Sequence, residues 1–177
     1  MNKSLALMLV LVITISLVSP ALAQETDSVY IIPYLITPDE NGERIVTVSP
    51  DQEILLGARW GACTIGLSIA FAKTATIDYA VDGQAIFASL DDSRNYWRLP
   101  PVQVPWQGGS PCMNNSDPGW RVYWEYSIGA LNPGDHPANF GYWNDHLQID
   151  GGDYDGDGKP DHGWGGAYID FIIRVVE

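Results

Sequence analysis

GWRVYWEYSI, residues 119–128, is the stretch that most clearly defines the fold of this chain, together with AYIDFIIRVV, residues 167–176. Both are dominated by aromatic and β-branched residues, which favour strands. Successive side chains of a strand point to opposite faces, so Trp120, Val122 and Trp124 share one face of the first stretch. The sequence therefore predicts two β-strands here, and the second is the last strand of the chain.

Shorter segments of the same kind lie between turns rich in Pro, Gly, Asn and Asp. The predicted strands cover residues 29–37, 44–48, 53–60, 76–81, 84–90 and 136–149. Asp82-Gly83 is a strong signal for a two-residue hairpin turn. One short helix fits near residues 64–75, and residues 91–119 are predicted to form a long loop pinned by a cysteine.

Many short strands without a long amphipathic helix indicate an all-β protein. We expect an antiparallel β-sandwich, with an immunoglobulin-like arrangement and a jelly roll as the two alternatives. The fold is predicted to occupy residues 24–177 as a single domain, a length that suits one hydrophobic core.

The first residues are typical of a cleavable export signal. Lys3 precedes an apolar run from residue 5 to residue 18, and Ala21-Leu22-Ala23 forms an A-x-A end before Gln24. The run is shorter than the roughly 20 apolar residues of a membrane-spanning helix, and Pro20 follows it. We therefore predict a signal peptide over residues 1–23, no membrane span, and a secreted protein, either extracellular or periplasmic.

The formal net charge of −13 argues against nucleic acid or an anionic membrane surface as a partner, because both would repel the chain. Cys63 and Cys112 are the two cysteines. An even number in an exported protein predicts a disulfide between them, with free thiols as the alternative.

Acidic residues crowd into the segment DGGDYDGDGKPDHGW, residues 150–164. The pattern D-x-D-x-D-G-x-x-D is formed by Asp153, Asp155, Asp157, Gly158 and Asp161. Carboxylates at this spacing repel one another unless a hard cation lies between them, and a glycine permits the sharp turn around it. The alternative is an acidic solvated turn, which the same residues favour. We predict a calcium loop at residues 153–164.

Over about a dozen residues this segment resembles the calcium loops of thrombospondin type 3 repeats and dockerin modules, and the first nine positions of an EF-hand loop. The resemblance implies calcium as the ligand, with side-chain oxygens from Asp153, Asp155, Asp157 and Asp161 and a backbone carbonyl from Lys159. Position 12, a glutamate in an EF-hand, is Trp164 here, which leaves one coordination position to Asp150, Asp170 or water. Pro160 and Gly163 oppose an exiting helix, so we expect an EF-hand-like loop between two strands. The rest of the chain is loosely similar to immunoglobulin-like modules of bacterial secreted proteins.

Seven tryptophans are many for a chain of this size, and they suggest either core packing or a sugar-stacking surface. The candidate ligand-binding residues are Trp97, Trp106, Trp143 and Trp164, which lie in or near loop-like stretches. The sequence contains no nucleophile motif or paired-acid signature. It therefore favours a calcium-binding module that interacts with an extracellular protein or glycan, then a carbohydrate-binding module, and last a small secreted hydrolase.

Overall fold

The computed structural model describes residues 27–106, 110–113 and 118–177, so the predicted signal peptide lies outside the described residues. The described residues form nine strands and one α-helix, α1 (Ile65–Thr74). The strands are β1 (Ser28–Ile31), β2 (Ile45–Val48), β3 (Glu53–Ala62), β4 (Ala75–Val81), β5 (Gln84–Ala85), β6 (Trp97–Val104), β7 (Gly119–Gly129), β8 (Gly134–Ile149) and β9 (His162–Val175). Short 3₁₀ turns cover Pro33–Leu35 and Leu90–Tyr96. Among these residues, no helix has the length and apolarity needed to cross a membrane.

The strands form two sheets, which confirms the all-β sandwich predicted from the sequence. Sheet A has the strand order β1-β3-β7-β6, and sheet B has the order β2-β9-β8-β4-β5. Most neighbours are antiparallel, but β1 lies parallel to β3 and β2 lies parallel to β9. The chain passes from sheet A to sheet B between β1 and β2 and returns to sheet A between β2 and β3. The two parallel pairs differ from the antiparallel pairing that the sequence predicts.

Aromatic side chains from both sheets fill the space between them. Trp124 of β7 and Tyr79 of β4 are fully buried, with ring centroids 5.6 Å apart. The polar atoms of both side chains have hydrogen-bond partners. Trp124 Nε1 donates to the Ser93 carbonyl at 2.7 Å, and the Tyr79 hydroxyl donates to the Gly57 carbonyl at 2.8 Å. A buried polar group without a partner would cost about 1–3 kcal/mol, so these bonds allow large amphipathic rings to serve as core.

Helix α1 lies where the sequence predicts a helix and carries the chain from sheet A to sheet B. Thr64 caps it, its Oγ1 accepting a hydrogen bond from the Leu67 amide at 3.3 Å. Phe71 of the helix stacks on Trp60 of β3 with ring centroids 4.2 Å apart. The helix thus packs against strands of both sheets and buries Ser68, Phe71 and Ala72.

Three predicted segments differ in the structure. The strand predicted over residues 29–37 ends at Ile31, because Pro33 begins a 3₁₀ turn. The strand predicted over 84–90 is limited to β5. The long loop predicted over 91–119 contains β6, which pairs with β7 at the edge of sheet A. Prolines are tolerated in an edge strand. Pro100 and Pro101 are nevertheless typical of loops, so the sequence predicted a loop where the structure has β6.

Candidate functional site

The acidic segment forms a loop over residues 150–161 between β8 and β9. These two strands are neighbours in sheet B and run antiparallel. The loop is therefore flanked by strands, as the sequence suggested, and it lacks the paired helices of an EF-hand.

The Cys63–Cys112 disulfide holds the start of this loop. The bond is present as predicted, with the two Cα atoms 5.6 Å apart. The Cys63 amide donates to the Asp150 carbonyl at 2.7 Å, and Cys112 pairs with Gly152 in a β-bridge. The Asp153 amide donates to the carbonyl of Pro111 at 2.9 Å. Both halves of the disulfide thus contact the first residues of the loop and fix where it leaves the sheet.

Three of the four predicted side-chain ligands are brought together. Carboxylate oxygens of Asp153, Asp155 and Asp161 lie within 4.8 Å of one another, with Asp153 and Asp161 half-buried and Asp155 exposed. Two like charges at this distance repel by roughly 1 kcal/mol in water, and by more where burial lowers the dielectric. The cluster therefore costs energy that a cation would offset.

The loop wraps its own backbone amides around Asp153. The Asp153 carboxylate accepts hydrogen bonds from the Gly156 amide at 2.7 Å and from the Gly158 amide at 2.9 Å. The Tyr154 amide donates to Asp161 Oδ2, which ties the start of the loop to its end. Both glycines have φ near +80°, a conformation that other residues rarely adopt.

The Asp157 carboxylate is not part of this cluster, although the Asp157 amide donates to Asp155 Oδ1 at 3.0 Å. Asp157 Oδ1 accepts from the Lys159 amide at 2.8 Å, and its Oδ2 lies 3.7 Å from Lys159 Nζ. The Asp157 carboxylate thus has its nearest contacts with Lys159, and its predicted role as a ligand stays a prediction.

Of the two residues considered for the remaining coordination position, Asp150 is the first residue of the loop, whereas Asp170 lies outside it. Asp150 Oδ1 accepts from the Gly152 amide at 2.8 Å and Oδ2 from the Tyr154 hydroxyl at 2.7 Å. Burial and then the hydrogen bond to Asp150 raise the pKa of Tyr154. Asp170 is on β9, opposite Asn139 of β8. The donors near the loop are all oxygens, a set that fits a hard cation such as Ca²⁺ rather than a soft metal.

The candidate tryptophans have different environments. Trp97 is 7% exposed, its Nε1 donates to the Ala75 carbonyl at 3.1 Å, and it lines a cavity of about 270 Å³ with Trp60 and Phe71. Trp106 is half-buried and lies against Gly61 and Gly119. The side chain of Trp164 lies outside the described part of the structure. Trp143 is 49% exposed on sheet B.

Sequence reasoning missed Tyr168, which is 58% exposed on β9. Its signal was available, because the alternation of residues 167–176 places Tyr168 and Asp170 on the face opposite Phe171. Phe171 is buried in the core, so Tyr168 and Asp170 belong to the outer face of sheet B.

Comparison of this chain with models of known protein families, with curated proteins and with solved structures finds no match. The functional argument therefore depends on the geometry of the acidic loop and of the outer face of sheet B.

Proposed function

We propose that this chain is an exported β-sandwich that binds calcium through its acidic loop and acts as a binding module outside the cytoplasm. The observation that supports the calcium site is the close approach of Asp153, Asp155 and Asp161 within 4.8 Å, in a loop whose start is held by a disulfide.

Calcium suits this loop because it accepts six to eight oxygen ligands in flexible geometry. The three clustered carboxylates supply the charge, and the Lys159 carbonyl occupies position 7 of the resembled motif. With no acidic residue at position 12, coordination is completed by water or by Asp150. This ligand set places the loop in the weak extracellular class, with dissociation constants of about 10⁻⁴–10⁻³ M. The ion then serves to hold the β8–β9 loop rather than to signal.

Export is supported by two independent features. The first 23 residues have the pattern of a cleavable signal, and disulfides persist mainly in oxidising compartments. Millimolar calcium is also typical of the extracellular sites in this affinity class.

Thermal unfolding of the chain from residue 24 onward tests the calcium site. At 10 mM calcium, binding of this strength adds about 1.4–2.7 kcal/mol of stability relative to chelator. For a domain of this size each kcal/mol shifts the melting temperature by about 2–4 °C. We expect a rise of about 3–11 °C with calcium and a much smaller rise with magnesium, which demands stricter octahedral geometry.

Matched substitutions locate the effect. Asp155→Asn should abolish most of the calcium-dependent rise, whereas Asp157→Asn should reduce it less, because Asp157 is paired with Lys159. Asp51→Asn, an exposed turn aspartate outside the loop, is the control and should keep the full rise. A melting temperature that is unchanged by calcium, together with calorimetry that shows no binding at millimolar concentration, contradicts the proposal.

A further inference from the structure

The outer face of sheet B exposes a flat indole. Trp143 of β8 is directly opposite Gly166 of β9, and Gly141 lies two residues earlier on the same face. A Cβ atom built on Gly166 would be 3.2 Å from the six-membered ring of Trp143, and one built on Gly141 would be 3.4 Å from its Nε1. The ring therefore lies over both glycines. One side of the indole is covered by backbone and the other faces solvent, consistent with its 49% exposure.

Tyr168 provides a second exposed ring next to this indole. It is paired with Gly141, so Trp143 and Tyr168 are diagonal neighbours on two adjacent strands. Such neighbours are about 7–8 Å apart. We call Trp143, Gly141, Gly166 and Tyr168 the aromatic platform. Two exposed rings on a sheet face at this separation can contact one ligand together.

Hydrogen-bonding side chains surround the platform. Asp78 of β4 is opposite Gly141, while Asn139 and Asp170 face each other one pair further along β8 and β9. Within the described residues, none of these three side chains makes a hydrogen bond or an ion pair. Carboxylates elsewhere on sheet B do, since Asp135 binds Arg174 at 2.7 Å and Asp82 binds His136 at 2.8 Å. The side chains beside the platform are therefore available to a ligand.

The platform continues into a groove. Asn139 and Asp170 also line a cavity of about 460 Å³, together with Glu43, Arg44 and Pro137. The Nε atom of Arg44 is buried there and has no hydrogen-bond partner among the described residues. The outer face of sheet B thus presents the two aromatic rings first, then the side chains of Asn139 and Asp170, and then the guanidinium of Arg44.

From this arrangement we infer that the outer face of sheet B binds a neutral saccharide chain, with a pyranose ring on Trp143 and Tyr168 and further units in the groove. A pyranose presents C–H groups on its flat face and hydroxyl groups around its edge. The rings bury the C–H face, while the carboxylates and the Asn139 amide bond the hydroxyls. The formal charge of −13 disfavours anionic polysaccharides. The inference deepens the proposed binding role and rests on it, but it does not need the calcium site.

Trp143 also shields the sheet at two glycines, a stabilising role that would need no ligand. The experiment must therefore measure binding and stability separately. Calorimetry and intrinsic fluorescence with cellohexaose, xylohexaose and mannohexaose, each in calcium and in chelator, measure binding by the chain from residue 24 onward. Thermal melts of the same samples measure stability.

We expect at least one of these oligosaccharides to bind. Trp143→Ala and Tyr168→Ala should each weaken binding about tenfold or more, and Asp170→Asn about threefold, with Asp51→Asn unchanged. Tyr168→Ala is the decisive variant, because its ring is exposed and its removal should leave the melting temperature nearly unchanged. Absence of binding to all three sugars by the folded protein overturns the inference, as does binding that survives both aromatic substitutions. A calcium-dependent melting shift without sugar binding would overturn this inference alone, and sugar binding without that shift would overturn only the calcium proposal.

Discussion

Two connections in sheet B join neighbouring antiparallel strands, and they are built in different ways. The turn between β4 and β5 has two residues, Asp82 and Gly83, with φ of 53° and 74°. The loop between β8 and β9 spans residues 150–161 and contains three glycines with positive φ. The short turn matches the twist of its strands by backbone geometry alone, which is why Asp-Gly predicts it so well.

The long loop combines contacts outside itself with contacts of its own. Its first residues bond to Cys63 and Pro111 beside the disulfide, and the Asp153 carboxylate accepts hydrogen bonds from two amides of the loop. The comparison shows that a connection this long must be fixed by tertiary contacts or by a ligand, because the entropy of so many residues opposes a single conformation.

The largest expected effect follows from removing the disulfide. Replacing both Cys63 and Cys112 by Ser opens a loop with a sequence separation of 49, which should cost about 4 kcal/mol. The calcium-dependent rise in melting temperature should also shrink, since Asp153 loses its fixed position relative to Pro111. Chemical denaturation with and without calcium measures both effects. If the calcium effect were unchanged in the double variant, the loop would not depend on the disulfide.

Glycine substitutions should have the next largest effect and should separate the two connections. Gly83→Ala and Gly158→Ala each place a side chain at positive φ, where the strain is about 1–2 kcal/mol. In chelator Gly83→Ala should lower the free energy of unfolding by that amount. Gly158→Ala should lower the free energy of unfolding mainly when calcium is present.

Gly66 offers a control for these variants. It lies in the first turn of α1 with ordinary φ, and a Cβ there would meet only Thr64 Oγ1 at 3.9 Å. Gly66→Ala should stabilise the protein by about 0.5–1 kcal/mol in both conditions. If Gly158→Ala lowered the free energy of unfolding equally with and without calcium, the conformation of the acidic loop would not depend on the ion.

The smallest expected effect is a pH dependence at the short turn. The hydrogen bond to Asp82, and then that to the Asn132 carbonyl, raise the pKa of His136. A raised pKa in the folded state means that the stabilisation is full below the unfolded pKa of about 6.5 and is lost as the pH rises through the folded value. An exposed pair of this kind contributes about 0.2–1 kcal/mol.

Melting in chelator between about pH 5.5 and 8.5 checks this expectation without interference from the metal site. Asp82→Asn preserves a residue that tolerates positive φ but removes the charge, so it should flatten the profile. A profile that keeps its slope in Asp82→Asn would assign the pH dependence to another group.

Much of the fold could be predicted because its signals are local. Alternation identified β7 and β9, Thr64 and the apolar residues after it allowed α1, and Asp82-Gly83 identified the hairpin. β6 was missed because two prolines in succession resemble a loop, and only its pairing with β7 makes it a strand. For the site, spacing selected Asp153, Asp155 and Asp161, whose carboxylates lie within 4.8 Å of one another, but it could not show that the Asp157 carboxylate lies 3.7 Å from the Lys159 ammonium.

The sequence by itself determined that this chain forms many short strands, with two cysteines and one cluster of regularly spaced aspartates, and it left open which aromatic residues form the core. The tertiary structure alone decided that the disulfide meets the acidic loop, that Trp97 is core, and that Trp143 lies beside Tyr168 on an outer face. The physical reason is the distance along the chain over which each interaction acts. Backbone preference and side-chain alternation act over a few residues, whereas contacts between distant segments exist only after the two sheets have packed.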